Sequence, residues 1–310
     1  MRITRLEVSN FRSISNLSLS FTDPCGSPLD QIFLMGESGA GKTTILEAIL
    51  LLLGKENMLL SDNLSGGAKR GKGEKYNLAV TIANGKTLHE WGTTNAGLTV
   101  PILPLSVSTE YIPAYRSYLM APPPVSAKKG AKSVSAIKYY ASIRNQLLEK
   151  FADNLMQSAL PGILDVEEVK IFDKINTAWK VLRPHFREQF LVKMNSEKAE
   201  DGYDIYLRGR VSGLDIPIGR LGGGEQEAFN LLAMVASSSS EANVILIDEP
   251  ELHLSFDLAR NITSAIRTAA PTAQLIMVTN NSLILEQAYS FERFYLSRSS
   301  YRIIQAERGV

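Results

Sequence analysis

The sequence predicts an α/β fold built on a parallel sheet, and three observations carry that prediction. In the last third of the chain two short apolar strands, Val244–Ile247 and Gln274–Val278, alternate with helical stretches at Glu225–Ser237 and Leu258–Arg267. Short apolar strands between helices are the mark of a sheet covered on both faces. Near the start, the apolar strand Gln31–Met35 runs straight into a glycine-rich turn, and the apolar helix Ile45–Leu53 leaves it. Third, the composition is that of an ordinary globular chain: 310 residues, 45% hydrophobic and 21% charged, with 33 basic against 32 acidic side chains for a net +1. This excludes a disordered tail, a collagen-like fibre and a disulfide scaffold. Near-neutrality argues against a general polyanion binder, although local basic patches can hide inside a neutral total.

Taken in order, Ile3, Leu6 and Val8, then Ile14, Leu17, Leu19 and Phe21, alternate as two strands joined by a polar turn. Residues 23–30 read as a loop. After the glycine-rich turn and its helix, residues 65–75 form a glycine-rich basic loop. Leu78–Ile82 and Lys86–Trp91 flank Asn84-Gly85, the pair that left-handed hairpin turns require. Residues 122–135 hold three consecutive prolines and several lysines, a flexible connector. From Val134 to Met194 the pattern is helical, interrupted at Pro161-Gly162 and Pro184. A hairpin around Asp201-Gly202 follows, then the α/β third. Trp91 and Trp179 read as core. The single cysteine, Cys25, has no thiol partner in the chain, which fits a reducing, cytoplasmic location, as does the lack of a signal-like or membrane-spanning apolar run. Three scattered histidines suggest no zinc site.

The turn carries the chemistry. Gly36-x-x-x-x-Gly41-Lys42-Thr43 is a complete Walker A pattern. Its glycines let backbone N–H groups of the Gly36, Ser38, Gly39, Ala40, Gly41 and Thr44 region converge on phosphate oxygens, and the following helix points its positive end at them. Lys42 supplies a point charge to the β- and γ-phosphates, and the Thr43 hydroxyl is a ligand for Mg²⁺. Val244–Ile247 ends in Asp248 and Glu249. Asp248 is placed to hold Mg²⁺ and Glu249 to polarise the water that attacks the γ-phosphate. ATP and Mg²⁺ are therefore the expected ligands.

Leu221-Gly222-Gly223-Gly224-Glu225-Gln226 resembles the signature motif of the ABC ATPases, usually Leu-Ser-Gly-Gly-Gln, and the order Walker A, signature, Walker B is that superfamily's order. The start Leu6–Ser13 and the run Asp248–Leu254 resemble the SMC, RecF and OLD-like branch, which includes the AAA15- and AAA21-type ATPases of anti-phage systems such as Septu. The likeness covers residues 1–55 and 215–290. The resemblance implies a P-loop NTPase with ABC-ATPase head architecture, a β-rich N-terminal subdomain and an inserted helical lobe. Its divisions fall at 1–109 (Walker A half), 110–200 (mainly helical lobe) and 201–310 (signature, Walker B and switch). It also implies head-to-head dimerisation, with each ATP lying between the Walker A of one copy and Gly222, Gly223, Gly224 and Glu225 of the other. Arg12 matches an arginine that the family sets near the phosphates; the alternative is a surface arginine after a strand. His253 falls in the D-loop, with a packing role as the alternative.

Two departures stand out. Gly222 replaces the signature serine, and Asn281 stands where the family has its switch histidine; asparagine cannot exchange a proton near neutrality. Both imply slow hydrolysis and a long-lived ATP-bound dimer. The gap of roughly 180 residues from Lys42 to Gly222 is longer than a transporter ATPase needs and has no sustained heptads for an SMC coiled coil. The short stretch after Glu249 leaves no room for a C-terminal Toprim nuclease, so a separate effector, a nuclease or toxin, is the expected partner in DNA maintenance or phage defence. Lys69, Arg70, Lys72, Lys128, Lys129 and Lys132 offer either nucleic-acid phosphate contacts or plain solvated loops. Two competing functions remain at this level: an ATP-binding scaffold with negligible hydrolysis, and, less favoured, a transporter subunit. No membrane contact is expected.

Overall fold

The turn at Asn10–Arg12 shows how local sequence shapes this fold. Asn10 and Arg12 both take left-handed backbone angles, φ 53° and 51°. The strands on either side, β1 (Ile3–Phe11) and β2 (Ile14–Ser20), can then pair antiparallel, with Phe11 facing Ile14. The structure, a computed structural model, describes residues 2–55, 75–93, 108–114, 166–194, 203–209, 213–238, 243–297 and 303–305. The basic residues Lys69, Arg70, Lys72, Lys128, Lys129 and Lys132, the proline-rich connector and the Trp91 side chain lie outside the described set.

Described elements continue with β3 (Gln31–Gly36), α1 (Lys42–Leu52), β4 (Lys75–Ile82), β5 (Thr87–Thr93) and β6 (Thr109–Ile112). Then come α2 (Val166–Leu182), β7 (Glu188–Met194), β8 (Tyr203–Gly209), β9 (Asp215–Pro217) and α3 (Gly223–Ser238). The chain finishes with β10 (Val244–Asp248), α4 (Phe256–Ala269), β11 (Gln274–Val278), α5 (Ser282–Leu285), β12 (Arg293–Leu296) and β13 (Ile303–Gln305). Two compact units result: residues 1–114, 241–250 and 272–310 form one, and residues 115–240 and 251–271 the other.

The first unit holds two sheets. One is antiparallel, in the order β2-β1-β4-β5; the other runs β13-β12-β3-β11-β10-β6 and is parallel except for β13. The expected parallel sheet is therefore present, and β10 and β11 are buried along their whole length, as their apolar sequences predict. The Asn84-Gly85 hairpin also forms, with Gly85 at φ 80°. Helix α1 packs nearly all of its length into a core shared with both sheets, including Phe11, Ile32, Leu246 and Leu296.

One buried polar side chain stitches the unit together. Gln274 is fully buried; its Oε1 accepts the Ile3 N–H at 2.7 Å, and its Nε2 donates to the carbonyls of Ile3 and Leu29 at 2.9 and 2.8 Å. Replacing it by methionine orphans three buried backbone groups. We expect Gln274→Met to lower stability by about 3 kcal/mol, read as a drop in the denaturation midpoint.

In the second unit, α2, α3 and α4 pack together beside the sheet β7-β8-β9. Trp179 is fully buried, as expected, with Phe190 edge-on at 4.8 Å and Phe229 beyond it at 4.5 Å. Two sequence expectations are corrected. The helical pattern does not reach Met194: α2 stops at Leu182, just before Pro184, and residues 188–194 form a strand. Proline cannot continue a helix, and the Asn176 amide exchanges hydrogen bonds with the Phe190 backbone at 2.7 and 3.2 Å, fixing that strand against α2. The signature helix begins at Gly223, two residues earlier than read, so Gly223 and Gly224 form its first turn instead of preceding it. Among the described residues no helix is long and apolar enough to cross a membrane.

Candidate nucleotide site

The loop between β3 and α1 is shaped by tight neighbours. Gly36 has φ 140°, and a Cβ there would sit 2.2 Å from the Leu296 carbonyl oxygen of β12, so no other residue fits. Gly41 caps α1 at φ 94° with no side-chain cap, which leaves the first N–H groups of the helix facing the loop. Ser38 and Gly39 are exposed, and Ala40 is buried.

Lys42 folds back over this loop. Its ammonium donates to the carbonyls of Gly36 and Glu37 at 2.7 and 2.9 Å. Burial lowers its pKa from the ordinary lysine value, opposed by the neighbouring carboxylates of Glu249 and Asp248. Thr43 donates its hydroxyl to Asp248 Oδ2 at 2.9 Å. The two groups expected to hold Mg²⁺, from α1 and from the end of β10, thus already touch. A hydroxyl and a carboxylate side by side are hard oxygen ligands suited to that ion. Glu249 follows in a left-handed conformation at φ 48°, its N–H donating to the Val278 carbonyl at 2.9 Å. A strained non-glycine residue held by its surroundings is typical of reacting groups.

Three further side chains surround this corner. Arg12 forms an ion pair with Glu47, which α1 carries in an otherwise apolar stretch and which is only 6% exposed. Burial lowers the Arg12 pKa from its usual value, with the Tyr111 hydroxyl acting in the other direction. Tyr111, at the end of β6, is buried, and burial followed by the Asp248 charge pushes its hydroxyl far above the ordinary tyrosine range. Sequence reading missed Glu47 as a functional group, although it is the single charge interrupting the run from Ile45 to Leu53. Converting Glu47 to alanine strips a mostly buried guanidinium of its ion-pair partner. We expect a loss of about 2–3 kcal/mol in urea denaturation, and an altered ATP affinity, because the tie between Arg12 and α1 is lost.

At the far side of the loop the two asparagines divide. Asn280 Oδ1 accepts the Gly36 N–H at 3.1 Å, so it contacts the Walker A segment. Asn281 caps α5, its Oδ1 accepting the Leu283 N–H at 2.9 Å. The sequence singled out Asn281; nothing in two adjacent asparagines distinguishes the one that reaches the loop.

Gly222, Gly223, Gly224 and Glu225 belong to the second unit. Gly224 packs so closely that a Cβ would lie 3.2 Å from the His253 carbonyl oxygen. His253 itself is exposed at φ 66°, which excludes the packing role. Glu225 Oε2 accepts the Gly222 N–H at 3.2 Å, closing the start of the signature helix.

Comparison with known proteins bears on the family and the fold. A family model described as "AAA domain, putative AbiEii toxin, Type IV TA system" matches residues 121–286, and an AAA ATPase domain model matches residues 1–95. The Septu protein PtuA of Bacillus mycoides (strain KBAB4) is 44% identical over 55 residues, 17% of this chain and 8% of that protein. Among solved structures, the SMC head domain from Thermotoga maritima matches with a TM-score of 0.59 at 14% identity, over 99% of this chain and all of that one. An SMC head bound to the C-terminal winged-helix domain of ScpA matches with a TM-score of 0.56 at 15% identity, over 95% of this chain and 94% of that one. The fold is that of an SMC-type ABC-ATPase head.

Proposed function

We infer from this chain, which belongs to the AAA-domain family matched over residues 121–286, an SMC-like ATPase that binds ATP with Mg²⁺, hydrolyses it slowly and pairs head to head with a second copy. The observation that carries the reading is the contact between Thr43 and Asp248, with buried Lys42 beside both acids. Lys42 and the N–H groups of the loop bind the β- and γ-phosphates. Thr43 and Asp248 would hold Mg²⁺, which would offset phosphate charge during bond cleavage. Glu249 accepts a proton from the attacking water, and Asn281 stands at the switch position of the family, where it would orient that water. Gly222–Glu225 offer helix N–H groups to the γ-phosphate of the second copy.

Gly222 and Asn281 support slow turnover, because neither brings the hydroxyl or imidazole usual in the family. The likeness to Septu protein PtuA supports anti-phage defence or DNA maintenance, in the cytoplasm and with a separate nuclease or toxin effector. The divisions at residues 109/110 and 200/201 belong to this proposal. A second reading, an ATP-binding scaffold with negligible hydrolysis, is favoured by one observation: the Asn281 side chain is committed to capping α5. Sizing Glu249→Gln with and without ATP and Mg²⁺ tests the main reading. A shift from monomer to dimer on ATP supports it, and an unchanged monomer removes it. Single-turnover hydrolysis by the wild type separates enzyme from scaffold.

A further inference from the structure

Arg183 takes no part in the mechanism above, yet it is the centre of a polar chain that ends at the signature loop. It lies just past the end of α2 with its side chain 14% exposed. Its Nη1 forms an ion pair with Glu225 Oε1 and lies 3.3 Å from Glu188 Oε2. The guanidinium also stacks over the Phe186 ring, 4.0 Å from its centroid. Glu188 accepts the Trp179 indole N–H at 3.0 Å, which anchors the chain in the core of the second unit. At the other end, the second oxygen of Glu225 accepts the N–H of Gly222. A cavity of about 540 Å³ opens beside these groups, lined in part by Arg183, Phe186, Glu225 and Ser255.

The charge of Glu225 is the point. A carboxylate in the first turn of a helix suits the helix dipole, but it opposes a polyphosphate arriving at the same glycines. A guanidinium grips a carboxylate firmly through charge-assisted hydrogen bonds. Here the grip also turns Glu225 so that it caps Gly222.

We propose that Arg183 is the positioning residue of the signature: it neutralises Glu225 and holds its carboxylate on Gly222, so that the glycine turn can accept the γ-phosphate bound to a second copy. This rests on the head-to-head reading above. Gln at position 225 removes the need for Arg183, and that dependence separates an electrostatic role from a merely structural one.

The test uses the full chain on the Glu249→Gln background, with ATP and Mg²⁺, and reads the dimerisation constant by analytical ultracentrifugation. Arg183→Gln is expected to weaken dimerisation about 10- to 100-fold, as an uncompensated like charge does at an interface. Adding Glu225→Gln to Arg183→Gln should restore most of the loss, and Glu225→Gln alone should dimerise at least as well as the parent. The inference is overturned if Arg183→Gln dimerises like the parent or if the double variant, folded by far-ultraviolet circular dichroism, shows no rescue. It is also overturned if Glu225→Gln alone weakens the dimer, a readout that stands even where Arg183→Gln does not fold. A parent that never dimerises on ATP removes the head-to-head reading itself, and this inference falls with it.

Discussion

Exchanging Glu249 for glutamine should cut steady-state ATP turnover by about 10²- to 10⁴-fold while leaving ATP affinity within a few-fold of wild type. The carboxylate is the group placed to take a proton from water, and an amide of the same shape cannot. The backbone there is left-handed at φ 48° and tied by its N–H to Val278, and glutamine keeps the size and shape of the side chain. Folding should therefore be untouched, and the melting temperature should move by no more than a degree or two. Phosphate release measured alongside ATP titration gives both numbers. A variant that still hydrolyses at the wild-type rate assigns the base elsewhere.

Removing the Lys42 side chain should act at the other end of the cycle. Lys42→Ala is expected to weaken ATP about 100-fold, from the loss of charge-assisted hydrogen bonds to phosphate. The effect should be larger for ATP than for AMP, because the ammonium addresses the β- and γ-groups. Its absence also leaves Asp248 and Glu249 facing the polyphosphate without the cation that now sits beside them. Calorimetric titration of ATP, ADP and AMP tests this; equal weakening for all three would show that the lysine acts through the loop shape alone.

Which parts of this molecule were legible beforehand follows from how each interaction is encoded. Strands β10 and β11 were readable because burial on both faces demands continuous apolar sequence. The Walker A turn was readable because its glycines answer to local backbone geometry, with Gly36 and Gly41 both at positive φ. Pro184 announced the end of α2, but the strand that follows it was hidden, because Phe190-Leu191-Val192 suits a helix as well as a sheet. The start of α3 at Gly223 was missed for a similar reason: three glycines weaken any helical pattern, and the closeness of the His253 carbonyl, which accounts for Gly224, is visible only in the fold. Glu47 was visible as an anomaly without a partner, since Arg12 lies 35 positions away. Arg183 left no mark at all. Its bond to Glu225 spans 42 positions and exists only once α2 and α3 have packed.

The fit of Gly36 against Leu296 bears on the choice of controls. Any side chain there collides with the β12 backbone, so a Gly36 variant disturbs the parallel sheet whether or not nucleotide is present. Loss of activity in such a variant would report damaged architecture, and a null phenotype in cells would be indistinguishable from degradation. Lys42, at the opposite end of the same loop, has a side chain that can be shortened without intruding on a neighbouring strand. It is the position at which a silent phosphate loop can be made in an intact protein.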